Sequence, residues 1–206
     1  MSGSWYEWGV LLLCLLLIGA VVKLLDDSLD ADFDKFRGQL TLAARLGRAV
    51  YPYGVVLALV AAYLNANLTI ALFLGSYVVG MFVQWRESLP TKVPAYIEIL
   101  AGIALSVALT GWQTAFWGVA MMAVIDWLDD LVDYSGDKTS GQVNLALRIG
   151  VVETLFLVMA ALCTAVLLNP LLTGLTFIAV TLLSIAAELT TKHLWKVNGE
   201  DGSVES

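Results

Sequence analysis

Long apolar runs alternate with short polar interruptions along the whole chain. The runs cover about residues 5–25, 49–64, 68–85, 93–111, 114–128, 151–168 and 171–189. Most have about the length needed to cross a hydrocarbon core roughly 30 Å thick. Asn65-Ala66-Asn67, Gly111-Trp112-Gln113 and Asn169-Pro170 are short enough to join neighbouring runs as hairpins. The fifth run is short as an apolar stretch because it continues directly into Asp126. From about residue 194 the chain is polar, which predicts a frayed end. The pattern predicts an all-α fold, a polytopic membrane helical bundle of about seven transmembrane helices.

Composition strengthens that expectation. Of 206 residues, 59% are hydrophobic and 14% charged, with a mean hydropathy of +0.82; soluble domains carry about 25% charged residues. The stretch Met1–Glu7 lacks the basic start of a cleavable signal, so the first run is expected to persist as a helix. Cys14 and Cys163 each lie in an apolar run without accompanying ligands. They predict packing or lipid-facing residues, not a disulfide or a metal site.

Charge sets an expected orientation. Lys23, Lys35, Arg37, Arg45, Arg48, Arg86, Lys92, Lys138, Arg148, Lys192 and Lys196 are all eleven basic residues of the chain. With seven alternating spans, every one falls on the side reached by the C-terminal end of the first helix. The positive-inside bias then predicts an outside N-terminus and a cytoplasmic C-terminus. The net charge of −7 comes mostly from two aspartate clusters and a short tail, and nucleic acid is not an expected partner.

Those clusters form an internal repeat. Residues 26–47 read DDSLDADFDKFRGQLTLAARLG and residues 129–150 read DDLVDYSGDKTSGQVNLALRIG, identical at 11 of 22 positions at a constant offset of 103. The shared residues are mainly the rare polar ones, so biased composition does not account for the match. The offset spans an even number of runs, so both motifs are predicted on the cytoplasmic side, as in a parallel repeat. The expected organisation is a first half over 1–92, a connecting span over 93–112, a second half over 113–193 and a polar tail over 194–206.

If each motif continues its helix, Asp26, Asp30 and Asp34 share one face, as do Asp126, Asp130, Asp133 and Asp137. Like charges one turn apart destabilise a helix, and aspartate at a helix C-terminus opposes the macrodipole. A compensating cation is therefore expected. Oxygen ligands without His or Cys favour Mg²⁺ or Ca²⁺. Magnesium held by one or two carboxylates keeps positions for phosphate oxygens, which suits a diphosphate with a lipid tail. Lys35, Lys138, Arg37, Arg45 and Arg148 are candidates to offset further anionic charge. Gly38 and Gly141 are expected as helix C-caps or turns.

At these residues the chain resembles the UbiA superfamily of intramembrane prenyltransferases. Asp26, Asp27, Asp30 and Asp34 match the family's first motif. Asp129, Asp133, Asp137, Gly141, Leu145, Ala146, Ile149 and Gly150 follow the second, with Asn144 where Thr is usual. Asp126 and Asp130 supply a second register. Between the motifs, Tyr77, Arg86, Lys92 and Glu98 resemble the family's Tyr, basic loop and following Glu. The resemblance runs from about residue 20 to 190. It implies a magnesium-dependent site for a prenyl diphosphate lipid, whose ionisation leaves an allylic cation for an aromatic or lipid acceptor. It implies metal contacts at Asp27, Asp30, Asp130 and Asp133 first, then at Asp26, Asp34, Asp126, Asp129 and Asp137. Arg86 and Lys92 are the implied diphosphate contacts, and Glu98 is a functional candidate as an ionisable residue near the interface. Against the family pattern, the chain reads as lacking one helix before the first motif and at least one at the end. A second subunit completing the chamber, hence a homo-oligomer, is one expectation from that difference.

The resemblance puts a UbiA-like prenyltransferase first and a terpene cyclase that quenches the cation internally second, while the residues also suit a non-enzymatic transporter, carrier or sensor of a diphosphate lipid or divalent cation. A transport path is disfavoured because the runs are almost free of ionisable residues between their ends. His193, the single histidine, is expected as an interfacial anchor, and most tryptophans as interface markers.

Overall fold

In a computed structural model, which describes residues 5–31, 33, 41–88 and 91–201, every regular element is a helix. The elements are α1 (Trp5–Leu29), α2 (Leu42–Leu46), a 3₁₀ turn (Gly47–Ala49), α3 (Val50–Gly80), α4 (Ala95–Thr110), α5 (Trp112–Val132), α6 (Tyr134–Ser140), α7 (Leu145–Ile149), α8 (Val151–Leu168) and α9 (Pro170–Asp201). Among the described residues, four stretches are long and apolar enough to cross a membrane: Trp5–Leu29, Leu42–Gly80, Val151–Leu168 and Pro170–Thr190. Ala95–Thr110 is apolar but shorter.

Two expected boundaries move. The third run ends as helix at Gly80, and residues 81–86 are turns that lead into a β-bridge between Ser88 and Pro94. The last helix continues to Asp201, beyond the point where polar sequence predicts fraying.

The helix α3 is two helices that meet at Asn65, whose φ of −156° and ψ of 95° are not helical. Asn65 Oδ1 accepts the Leu68 N–H at 3.0 Å, capping the second of them. Local geometry recurs at the spacing of the sequence repeat. The helices α1 and α5 end at Leu29 and Val132, each followed by a bend at an aspartate, Asp30 and Asp133. Thr41 caps α2 by accepting from Ala44 N, and Asn144 caps α7 by accepting from Leu147 N. Both short helices end at a glycine with positive φ, Gly47 and Gly150.

The chain divides into two compact units, residues 1–61 with 176–206 and residues 62–175. In the first, α1 buries Cys14, Leu15, Ile18 and Val21. The Cys14 thiol donates to the Ala61 carbonyl at 3.5 Å, and a Cβ on Gly19 would stand 2.6 Å from Leu183 Cδ1.

The second unit is built around α5, which packs against α4 and α8 and buries Trp117, Met121, Val124 and Trp127. Glycines bring backbones together here. A Cβ on Gly118 would lie 2.5 Å from the Ala71 carbonyl oxygen, and one on Gly75 would lie 2.7 Å from that of Gly118. Small residues allow such contact where lipid removes the hydrophobic drive between helices. Trp117 Nε1 donates to Thr173 Oγ1 at 3.1 Å, and that hydroxyl donates to the Asn169 carbonyl at 2.8 Å. The indole N–H is thereby satisfied in a buried place.

Candidate functional site: the second aspartate motif

The second motif is assembled by α5, α6 and α7 within the second unit. Asp126, Asp129 and Asp130 occupy the last turns of α5, and Asp133 is its C-cap. The bend at Asp133 interrupts the expected continuous stripe, and Asp137 comes to lie on α6 as a buried residue. Its backbone N–H still reaches the Asp133 carbonyl at 2.9 Å. Gly141 ends α6 in the left-handed conformation, φ 76°, donating to the Asp137 carbonyl. This is the helix-ending role expected for it.

Asn144 ties these pieces together. Its Nδ2 donates to the Asp130 carbonyl at 2.7 Å and to Asp137 Oδ2 at 2.6 Å, while Oδ1 accepts from Leu147 N at 3.1 Å. Leu145 N donates to Asp130 Oδ2 at 2.7 Å. Burial pushes the Asp130 carboxyl up to about 6, against the Leu145 N–H, and the charges of Asp137, Asp129 and Asp133 push the same way. Such crowding favours a cation or a proton.

The first motif is balanced differently. Asp27 pairs with Lys23 one turn earlier, at 3.2 Å. At the repeat offset, Lys23 corresponds to Asp126, so the first copy carries its own cation where the second adds a carboxylate. Asp26 is exposed and Asp30 half-buried. Asp34, Lys35 and Arg37 lie outside the described residues, as does Gly38.

The donor chemistry of the second motif fits magnesium. It offers carboxylate oxygens without His or Cys, and the half-buried Asp130 feels the charges of Asp137, Asp129 and Asp133. Among the described residues no three His, Cys, Asp or Glu side chains converge as a ready metal cage. Magnesium does not require one, since it commonly uses one or two carboxylates and fills its octahedron with water and phosphate.

Residues from the loop between the motifs form a separate cluster. Glu98, in the first turn of α4, accepts from the hydroxyls of Tyr77 and Thr91. Arg86 lies over the Trp85 ring, 4.4 Å from its centroid, and Lys92 is exposed with a φ of 64°. This segment contacts the second motif twice. Arg148 Nη1 donates to the Val83 carbonyl, which gives one arm of a candidate diphosphate contact to the backbone. Phe82 stacks at a tilt on Trp127, 5.5 Å between centroids. Lys138 and Arg45 are exposed.

Sequence reasoning missed two features of this site. Asn144 stood out only as a departure from a family pattern, although an Asn opening an apolar run is a helix-cap signal. Trp127, buried one residue after Asp126 with an Nε1 that has no hydrogen-bond partner among the described residues, had no local signal. Compared with known proteins, the chain matches no family model, no curated protein and no solved structure.

Proposed function

We propose that the chain is a magnesium-dependent intramembrane prenyltransferase that moves a prenyl group from a prenyl diphosphate to an aromatic or lipid acceptor. The reading rests on one observation: the same aspartate motif occurs twice, each time where a helix ends. The recurrence of caps, bends and positive-φ glycines 103 positions apart supports treating the copies as one device used twice. The full proposal is a bundle of about seven spans related by a parallel, UbiA-like repeat. Its N-terminus is outside, and both motifs are cytoplasmic.

Asp27 and Asp30 in the first copy and Asp130 and Asp133 in the second are the proposed metal contacts, with Asp26, Asp34, Asp126, Asp129 and Asp137 next in order. Bound magnesium supplies neutralisation of the departing diphosphate. The chain's own residues provide the rest. Lys35, Arg37, Arg86, Lys92, Lys138 and Arg148 offer donors to phosphate oxygens. Tyr77 and Glu98 fix the interfacial end of the substrate region through their mutual hydrogen bond. The apolar spans exclude water from the prenyl chain.

The test is binding and turnover of prenyl diphosphates from C10 to C40 by the purified protein, with magnesium or with a chelator. Asp27→Asn and Asp130→Asn are run alongside. The proposal requires magnesium-dependent binding that both substitutions weaken, and diphosphate release that depends on an acceptor. Binding that ignores metal and both substitutions refutes the site. Release without acceptor redirects the reading to cyclisation, and binding without release to a carrier.

A further inference from the structure

The Asn144 side chain engages both of its donors and its acceptor oxygen. Both Nδ2 hydrogens are committed, one to the Asp130 carbonyl at 2.7 Å and one to Asp137 Oδ2 at 2.6 Å, and Oδ1 caps α7 through Leu147 N. The side chain is 2% exposed and its Asp137 partner 4%. Only an amide of this length supplies two donors and one acceptor there. Threonine has one donor and aspartate, ionised, has none. The first copy carries Thr41 at the equivalent position, where the hydroxyl accepts from Ala44 N at 3.2 Å and caps α2. Capping alone therefore does not require asparagine.

We infer that Asn144 is a positioning residue that divides the carboxylates of the second motif into two roles. It holds Asp137 to the protein, and it ties the end of α5 to the start of α7. The adjacent Leu145 N–H then takes Asp130 Oδ2 at 2.7 Å, so the carboxylate is oriented with Oδ1 as the oxygen left for metal. Asp137 becomes a brace, and Asp130 the ligand. This inference rests on the magnesium–diphosphate reading and assigns positions within that site. Partners of this kind, one shell out from a metal, commonly tune affinity by about 10–100-fold.

The experiment is a magnesium titration of farnesyl diphosphate binding by the full chain in lipid nanodiscs, with thermal unfolding recorded for each variant. Asn144→Thr keeps the α7 cap and loses one donor, and its magnesium midpoint is expected to rise about 10-fold. Asp137→Asn keeps an acceptor for Asn144, and its midpoint is expected to rise by no more than about 10-fold, as for a partner one shell out, with magnesium-dependent binding retained. Asp130→Asn is expected to lose magnesium-dependent binding. Asn65→Ala, which removes a helix cap away from both aspartate motifs, serves as the stability control and leaves the midpoint unchanged. An unchanged midpoint in folded Asn144→Thr, or loss of binding in Asp137→Asn equal to that in Asp130→Asn, overturns the inference while the proposed function stands. If Asn144→Thr does not fold, the Asp137→Asn result alone decides between brace and ligand. Absence of magnesium-dependent binding in the parent overturns the proposed function, and the inference with it.

Discussion

Asn65 and Asn169, 104 positions apart, adopt the same backbone conformation and make the same bond. Their φ and ψ are −156° and 95°, and −157° and 88°. Each Oδ1 accepts the N–H three residues on, Leu68 and Leu172, at 3.0 Å. A short polar side chain caps the incoming helix where the chain leaves one apolar run for the next. Asn65→Ala and Asn169→Ala are each expected to cost about 1 kcal/mol of stability. Unfolding titrations in mixed micelles measure this, and an unchanged midpoint in both variants contradicts the capping assignment.

The contact of Gly118 with the Ala71 carbonyl makes a sharper prediction. A methyl group there would stand 2.5 Å from a backbone oxygen, which no rotamer change relieves. Gly118→Ala must separate two helices and is expected to cost about 1–3 kcal/mol, the usual range for overpacking. Gly54→Ala and Gly174→Ala, where a Cβ meets nothing within 4 Å, are expected to be neutral or slightly stabilising. Equal thermal shifts in all three variants would remove the close-packing argument.

These positions also mark how far the sequence was legible. Hydropathy located the helices, and Asn65 and Asn169 were readable as interruptions because polar residues between apolar runs have few other uses in a membrane protein. Gly141 was readable because a left-handed helix end favours glycine. Asp137 was not. Helical periodicity extended one carboxylate face past Asp133, whereas the bend there places Asp137 on α6, buried against Asn144. Arg148 looked like a free cation from its place in the motif. Its bond to Val83, 65 residues away, depends on tertiary packing that no local pattern encodes. The elements that carry the motif were therefore readable, and the tertiary bonds made by Asp137 and Arg148 were not.

Asp130 predicts an unusual dependence on pH. Its folded-state carboxyl is pushed up to about 6, above the roughly 4 of an unfolded aspartate. Between those values the folded protein binds more protons than the unfolded chain. This contribution to stability is therefore fully present below about pH 4 and is lost as pH rises through about 6. In chelator-containing buffer, the stability difference between parent and Asp130→Asn is expected to shift towards the variant across that window. On the proposed magnesium reading the metal takes the ionised carboxylate, so its addition is expected to restore the parent above pH 6 and leave the variant unmoved. Parallel pH profiles for the two proteins would sink the assignment.

Lys92 offers a test of whether backbone strain serves binding. Its φ of 64° is the only positive value among the described non-glycine residues, and left-handed backbone costs a side-chain-bearing residue about 1–2 kcal/mol. The neighbouring structure holds it there: Thr91 donates to Glu98, and Ser88 bridges to Pro94. Strain of this kind persists where surrounding contacts impose it, often at ligand-binding places. Lys92→Gly relieves the strain and removes the charge, and Lys92→Arg keeps both. The expected result is that the glycine variant unfolds at a higher temperature but binds prenyl diphosphate more weakly, while the arginine variant matches the parent in both measurements. A glycine variant that is more stable and binds equally well leaves the strain real and Lys92 without a role at the diphosphate. A glycine variant no more stable than the parent shows that the loop conformation carries no cost, and the argument from strain to function then fails at its first step.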